Sequence, residues 1–485
     1  MTIWLFSHLP LLYKNGQNNF LCCIITLMNN KPQTDCLFLH IPNFIQLSNN
    51  TYKLWVNVIA MGVFSMCNEL YKHGFNPEII HYGLEKVKNF RFNIRKYIKQ
   101  NNIKIVAISL HWHYQTYDSL MVAKRIKEEL PETFIFLGGY TSSAFAEDIL
   151  QKYDFIDAII KGEGEKPVVK LVSLIKNGEW DLSDVPNLLW RKNGKVIKNN
   201  DVWFANEEEL NSYNFNGLRF LEDANTYLHL PIKLNVENEN TAIVLEQQST
   251  VVCCLGRGCP GNCTWCGGGF NAVKQLTGRN KITLRNPEIT AQELLKYNRD
   301  YGVGTFYFCY DPYPKNQDNI IKVFEIMGKE MPNKLNVKFE CFGLPTFEFI
   351  DAVKNNLGDD SQIIISPEFG NEDLRIEHKG EMFGYTNDDL LQTLKYIKEK
   401  NIPTLLYFAE VPFQDDKSKQ ETKDFIEMLE TEFKDFERFR TSLMTVNDFE
   451  PYAPWTINPE KYGVIPNFKT LDDYVKKNQK YGPEL

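Results

Sequence analysis

Histidine is scarce in this chain, with eight in 485 residues, and no apolar run reaches the roughly 20 residues a membrane-spanning helix needs. The longest candidate, Phe20-Leu21-Cys22-Cys23-Ile24-Ile25-Thr26-Leu27-Met28, falls short. It has no basic segment before it and no small-residue cleavage site, so it does not read as a signal peptide. Residues 1–34 read as an extension, with Met28 as an alternative to Met1 as the native start. Positive charge is not in excess: 54 Lys and Arg against 62 Asp and Glu leave a net charge of −8. With no basic tail, that balance weighs against a nucleic-acid partner. The 11 cysteines are odd in number and clustered rather than spread. This pattern does not suit a secreted disulfide scaffold and points to a reducing, cytoplasmic setting. No Ser-His-Asp arrangement or carboxylate pair stands out, so no side chain is assigned as a catalytic acid, base or nucleophile. Internal repeats and low-complexity tracts are absent too.

What is present is ordinary globular material, 43% hydrophobic and 24% charged, at a length that suggests about three domains. Over residues 35–178, short apolar runs alternate with amphipathic stretches. Predicted strands are Cys36–Ile41, Pro77–His81, Ile103–Leu110, Thr133–Leu137 and Phe155–Ile160. Predicted helices are Val58–His73, Ser119–Leu130 and Lys166–Lys176. That order implies a doubly wound, Rossmann-like α/β domain that binds ligands beyond the carboxyl ends of its strands. Residues 179–248 read as a connector, with a hairpin over Leu188–Ile197 turning at Asn193-Gly194. Over 249–448 the alternation resumes, with strands expected at Thr250–Leu255, Gly304–Tyr310, Asn336–Phe342, Gln362–Ser366, Thr404–Val411 and Arg440–Val446. Helices are expected between them at Thr290–Tyr301, Asn316–Glu330 and Asn387–Lys400. Six βα units predict a full or partial barrel, here a (β/α)6 form. The tail, 449–485, is expected to pack across that barrel.

The chemistry-bearing motif is Cys259-Pro260-Gly261-Asn262-Cys263-Thr264-Trp265-Cys266, followed by Gly267-Gly268-Gly269. Three thiolates on one short loop suit three irons of a [4Fe–4S] cube and leave the fourth iron open to chemistry. Zinc is the first rival and needs a fourth ligand, usually from a second spaced pair. Cys253 and Cys254 are adjacent, Cys309 and Cys341 are isolated, and His229 and His378 have no pair spacing. Inert buried thiols are the second rival.

With an aromatic before the last cysteine and a barrel-like continuation, the motif resembles that of the radical SAM superfamily. The resemblance implies that Cys259, Cys263 and Cys266 hold the cluster and that S-adenosylmethionine (SAM) chelates the open iron. One electron then cleaves SAM to a 5′-deoxyadenosyl radical. Gly267 and Gly268 match the small residues beside the methionine moiety. Ser366-Pro367-Glu368-Phe369-Gly370 and Arg375 resemble the segment that holds the ribose and carboxylate. Asp311, in Tyr310-Asp311-Pro312 at a strand end, reads as a contact to cofactor or substrate, or as a helix cap. Glu410 is a weaker candidate of the same kind.

The front domain resembles the cobalamin-binding (B12-binding) module that precedes the barrel in one class of these enzymes. The resemblance places cobalamin against Ser109-Leu110, Gly138-Gly139 and Gly162-Glu163 at three successive strand ends. Many such modules carry Asp-x-His-x-x-Gly after the first strand. Here His40-Ile41-Pro42-Asn43-Phe44 stands instead, so the lower cobalt ligand is left open, with His111 and His113 as conceivable contacts. Glu450-Pro451-Tyr452-Ala453-Pro454 and Pro459-Glu460-Lys461-Tyr462-Gly463 resemble tails in one branch of the class. The implied activity is cobalamin-dependent C-methylation of an unactivated carbon. The implied partners are a small-molecule, lipid or peptide substrate and an external one-electron reductant such as flavodoxin or ferredoxin. The alternatives are a cyclase or rearrangement enzyme that transfers no methyl, and a non-catalytic iron–sulfur protein.

Overall fold

The computed structural model describes residues 32–479 apart from 49–50, 90, 230–232, 237–240, 246–250, 312–316 and 332–333. The apolar segment ending at Met28 and Pro312 lie outside the described residues. Among the described residues, no helix is long and apolar enough to cross a membrane.

Five parallel strands form the front sheet in the spatial order Pro77–His81, Cys36–His40, Ile105–Ser109, Phe134–Gly138, Ala158–Ile160. Cys36–His40 and Pro77–His81 are buried along their whole length, as expected for parallel strands covered by helices on both faces. In chain order the sheet reads 2-1-3-4-5, so the winding reverses between Cys36–His40 and Ile105–Ser109. A ligand crevice opens beyond the strand ends at such a switch point.

Leu188–Lys192 and Lys195–Lys198 extend this sheet antiparallel beside Ala158–Ile160. The stretch expected to be a connector therefore builds part of the front sheet. Its later strands, Lys233–Val236 and Thr241–Leu245, join Asn43–Ser48 and Thr51–Trp55 in a separate four-stranded sheet.

The second body is a row of six parallel strands in chain order: Val251–Val252, Thr305–Phe308, Asn336–Cys341, Gln362–Glu368, Thr404–Glu410, Phe439–Thr445. Helices follow as the sequence predicts, with local differences. Pro287–Tyr301 begins three residues earlier than expected because Asn286 caps it and Pro287 fits its first turn. Gly302, with a positive φ, ends it. The alternation along the strands sorts two faces. Phe306, Phe308, Val337, Phe339 and Cys341 are buried under the helices. Tyr307, Lys338 and Glu340 are only partly buried, on the concave side. A continuous apolar core runs from Phe38 and Ile79 of the front sheet to Leu294, Phe306 and Phe324 of the barrel.

The tail packs on both bodies. Trp455 N–H donates to Thr264 O at 3.1 Å in the cysteine loop. The helix Leu471–Gln479 instead lies on the front domain, where Leu471 and Tyr474 enter the core and Asn478 Nδ2 donates to His113 O at 2.7 Å.

Candidate active site between the two bodies

The cysteine loop leaves a short antiparallel pair, Gly256–Arg257 with Thr283–Leu284. Gly258 then adopts φ +95°, and a Cβ there would meet Lys281 O at 2.8 Å, so only glycine fits. Cys266 N–H closes on Cys263 O at 3.1 Å, and Thr264 N–H is held by His378 O at 2.9 Å. At Thr264 the loop is thus held by backbone bonds to two helical segments, through His378 and through Trp455. Gly268 N–H donates to Cys266 Sγ at 3.3 Å, the kind of contact that stabilises a thiolate.

Burial pushes the Cys263 thiol up to about 11 and raises those of Cys259 and Cys266 as well. A cationic group must therefore be bound for all three to ligate as thiolates. Each thiol has a different charged neighbour beyond its fellow cysteines: Asp311 for Cys259, Lys379 and Glu368 for Cys263, Glu450 for Cys266. No three His, Cys, Asp or Glu side chains among the described residues are gathered as ligands of one metal ion. The donor set, three neighbouring thiols with an N–H directed at sulfur, fits a multi-iron cluster that takes one thiolate per iron.

The sequence-predicted SAM residues surround this loop in different ways. Glu368 ends its strand at φ +65° beside a register shift, a strained conformation for glutamate. Its carboxylate lies 3.7 Å from Lys379 Nζ. Lys379 is anchored in turn on Ser366 O at 2.5 Å and Phe342 O at 3.3 Å. Asp311 is fully buried and accepts from Phe342 N–H at 3.1 Å, so it ties two strand ends together. Arg375 is fully buried, and its donors reach Pro367 O, Tyr385 O, Phe369 O and Asn387 Oδ1 at 2.7 to 3.2 Å. That bonding makes it the brace of the Pro367–Phe369 backbone. Gly267 faces the tail, and a Cβ on it would collide with Pro451 O. A Cβ on Gly268 would make only ordinary contact with Cys266 Sγ. Glu410 pairs with Lys423 at 2.9 Å.

At the front-domain strand ends, a Cβ on Gly138 would stand in open space. Ser109 pairs with Gly138 across the strands, and Leu110 N–H donates to Gly138 O at 2.9 Å. An open, side-chain-free strand end beside the switch point fits a bulky planar ligand such as a corrin. Gly139, at φ +109°, packs instead on the Leu110 and His111 backbone. Gly162 faces the barrel, where its Cβ would meet Thr277 Cα at 2.9 Å, and Glu163 pairs with Arg257 and Arg279. His111 stacks edge-on with Trp112 and Tyr140. His113 packs on Tyr114 and on Tyr474 of the tail helix.

Three features were not legible in sequence. Tyr140 follows the diglycine and lies within electrostatic reach of Cys266 and Cys259, although burial is the main cause of its raised pKa. It joins the front strand ends to the cysteine loop, and the helices Tyr140–Ala144 and Phe270–Thr277 pack together there. On the concave barrel face, Tyr307 donates to Glu340, whose carboxyl is raised by burial. Arg257, two residues before Cys259, contacts Glu163 and Glu165 of the front domain. Alternation along the two barrel strands marks Tyr307 and Glu340 as facing one way, but nothing local marks the other two.

Family models match two stretches: a B12 binding domain over residues 53–172 and the radical SAM superfamily over residues 254–429. Among curated proteins, the anaerobic magnesium-protoporphyrin IX monomethyl ester cyclase of Synechocystis sp. is 28% identical over 182 residues, covering 37% of this chain and 31% of that protein. The hopanoid C-3 methylase of Methylococcus capsulatus is 33% identical over 139 residues, covering 28% of this chain and 26% of that protein. The matches thus span less than a third of either relative. Among solved structures, the cobalamin-dependent SAM radical enzyme OxsB with aqua-cobalamin bound superposes with a TM-score of 0.59 at 14% identity, covering 89% of this chain and 56% of OxsB. That likeness establishes a shared fold across both bodies.

Proposed function

The chain belongs to the radical SAM enzymes that carry a B12-binding domain, and from that premise we propose that it methylates an unactivated carbon in a cobalamin- and SAM-dependent reaction. The observation that carries this reading is the apposition of two seats. The helix Tyr140–Ala144, which follows the strand end at Gly138, packs on the helix Phe270–Thr277, which follows the cysteine loop, and this packing supports one site serving both cofactors.

When bound, the cluster with SAM supplies a hydrogen-abstracting radical and cobalamin supplies the methyl group. The residues of this chain bind, orient and enclose. Cys259, Cys263 and Cys266 hold the cluster, and the backbone at Gly268 faces SAM. Glu368, oriented by Lys379, and Asp311 take polar groups of SAM at the barrel mouth. Ser109, Leu110 and Gly138 form the corrin seat, and Gly139 packs behind it on the Leu110 and His111 backbone. The Tyr307–Glu340 pair takes a hydrogen-bonding group of the substrate inside the barrel. Trp455 and the tail segment at Glu450 cover the cysteine loop and exclude water, which a radical reaction requires.

The substrate is a small molecule, lipid or peptide. The reductant is an external one-electron carrier of flavodoxin or ferredoxin type, in the cytoplasm. Members of this superfamily generally draw on an external reductant. The test is product analysis under strong reductant with candidate acceptors. Methylation yields S-adenosylhomocysteine together with 5′-deoxyadenosine, both dependent on acceptor. One relative is a cyclase, which favours a second reading, rearrangement without methyl transfer. That reading yields 5′-deoxyadenosine with no S-adenosylhomocysteine.

A further inference from the structure

Glu163 and Glu165 sit at the start of the front-domain helix Glu165–Lys176, and Arg257 and Arg279 belong to the barrel body. Their four charges balance. Arg257 Nη1 reaches Glu163 Oε2 at 2.6 Å and Glu165 Oε2 at 3.2 Å, and its Nη2 donates to Glu165 Oε1. Arg279 grips the same Glu163 through Nε at 2.6 Å and Nη2 at 3.1 Å. The remaining valences are also used. Ser65 Oγ donates to Glu165 Oε1 at 2.5 Å, Ala205 N–H donates to Glu163 Oε2 at 3.0 Å, and Arg279 donates to Thr283 Oγ1 and Ala205 O, both at 2.7 Å. Arg279, Glu163 and Glu165 are each at most 9% exposed. A buried ion network is tolerable only when so fully bonded, and removing one member leaves an uncompensated charge.

The location gives the network its use. Gly162 and Glu163 leave the carboxyl end of the strand Ala158–Ile160, at the edge of the corrin seat, and Arg257 precedes Cys259 by two residues, with Gly258 fixed between them. We propose that Glu163 and Glu165 are positioning residues for the cluster loop: the front domain holds Arg257, and through it the first cysteine, at a set distance from the corrin seat. The inference rests on the cluster and corrin readings above. It assigns to Glu163 a role toward the cluster rather than toward cobalamin.

The experiment compares anaerobically reconstituted wild type, Glu165→Gln and Glu163→Gln with Glu293→Gln. The last removes the partner of Arg285, another buried pair at 3.0 Å that contains neither front-domain glutamate. Iron and cobalt per chain, the EPR signal of the reduced cluster with and without SAM, and the rate of iron loss to a chelator are measured. The two latch variants are expected to keep wild-type cobalt content, to lose iron about tenfold faster and to show an altered SAM-induced EPR change. Glu293→Gln is expected to lower thermal stability and leave the EPR change intact. Wild-type iron retention and EPR response in both latch variants, or the same EPR change in Glu293→Gln, overturns the proposal. If Glu165→Gln does not fold, Ser65→Ala weakens the hold on the same carboxylate, and iron loss no faster than wild type in it also overturns the proposal. Failure of wild type to take up iron or cobalt would instead overturn the underlying readings.

Discussion

Glu450 accepts a hydrogen bond of 2.6 Å from the backbone N–H of Gly267, one residue beyond the last cysteine. The bond joins residues 183 positions apart and closes the tail over the cysteine loop. The Pro451 carbonyl approaches so near that no side chain fits at Gly267. Glu450→Ala is therefore expected to loosen the tail. Uncoupled 5′-deoxyadenosine and oxygen-driven bleaching of the cluster should rise by about tenfold, the cost of one buried charge-assisted hydrogen bond. Absorbance decay of the reconstituted protein in air is the check.

Gly138→Trp places a bulky side chain at the open strand end, where a Cβ meets no neighbour. Cobalt per chain should fall severalfold while iron stays at the wild-type level. Unchanged cobalt content would contradict the corrin seat.

Tyr307 and Glu340 form a hydrogen-bonded pair on the concave barrel face. Glu340→Gln and Tyr307→Phe should leave iron and cobalt loading intact and reduce product per 5′-deoxyadenosine roughly tenfold. An equal fall in substrate-free 5′-deoxyadenosine release would assign the pair to SAM instead of substrate.

Burial pushes His81 and His111 in the front domain down to about 4 from an ordinary 6.5. The fold therefore prefers both rings neutral, and the unfolded chain binds protons first. Their stabilising contribution is fully present above pH 6.5 and is lost as the pH falls from 6.5 through 4. The unfolding free energy from urea titrations should decline across that window, by an amount on the order of a few kcal/mol. The slope should be shallower in a His81→Gln/His111→Gln double variant. Equal slopes would contradict the assignment.

Much of the fold was readable because parallel strands buried on both faces leave uninterrupted apolar runs, as in Cys36–His40, the barrel strands alternate buried and partly buried positions, as in Asn336–Cys341, and Gly and Pro mark the breaks. The cysteine spacing alone marked the loop as the candidate cluster site. Partnership between distant segments was not readable. Asn193-Gly194 announces a hairpin, but only the free edge of Ala158–Ile160 decides which sheet it joins. The strand Thr51–Trp55 pairs with residues near 243, a partner no local pattern names. Glu163 sits in a stretch that resembles a corrin loop, yet its ionic partners lie 94 and 116 residues further on. Arg375 resembles a SAM contact in sequence, and its burial and four acceptors show a brace. Tyr140 carries no signal beyond following two glycines.

The most direct measurement is iron and cobalt content per chain after anaerobic purification with iron, sulfide and hydroxocobalamin, with Cys263→Ala beside wild type. The account predicts about four irons and about one cobalt in wild type. In Cys263→Ala it predicts cobalt retained, iron lost and no SAM cleavage. A Cys263→Ala protein that keeps wild-type iron and still releases 5′-deoxyadenosine would contradict the cluster assignment. Wild type that takes up iron but no cobalt would remove methyl transfer from cobalamin.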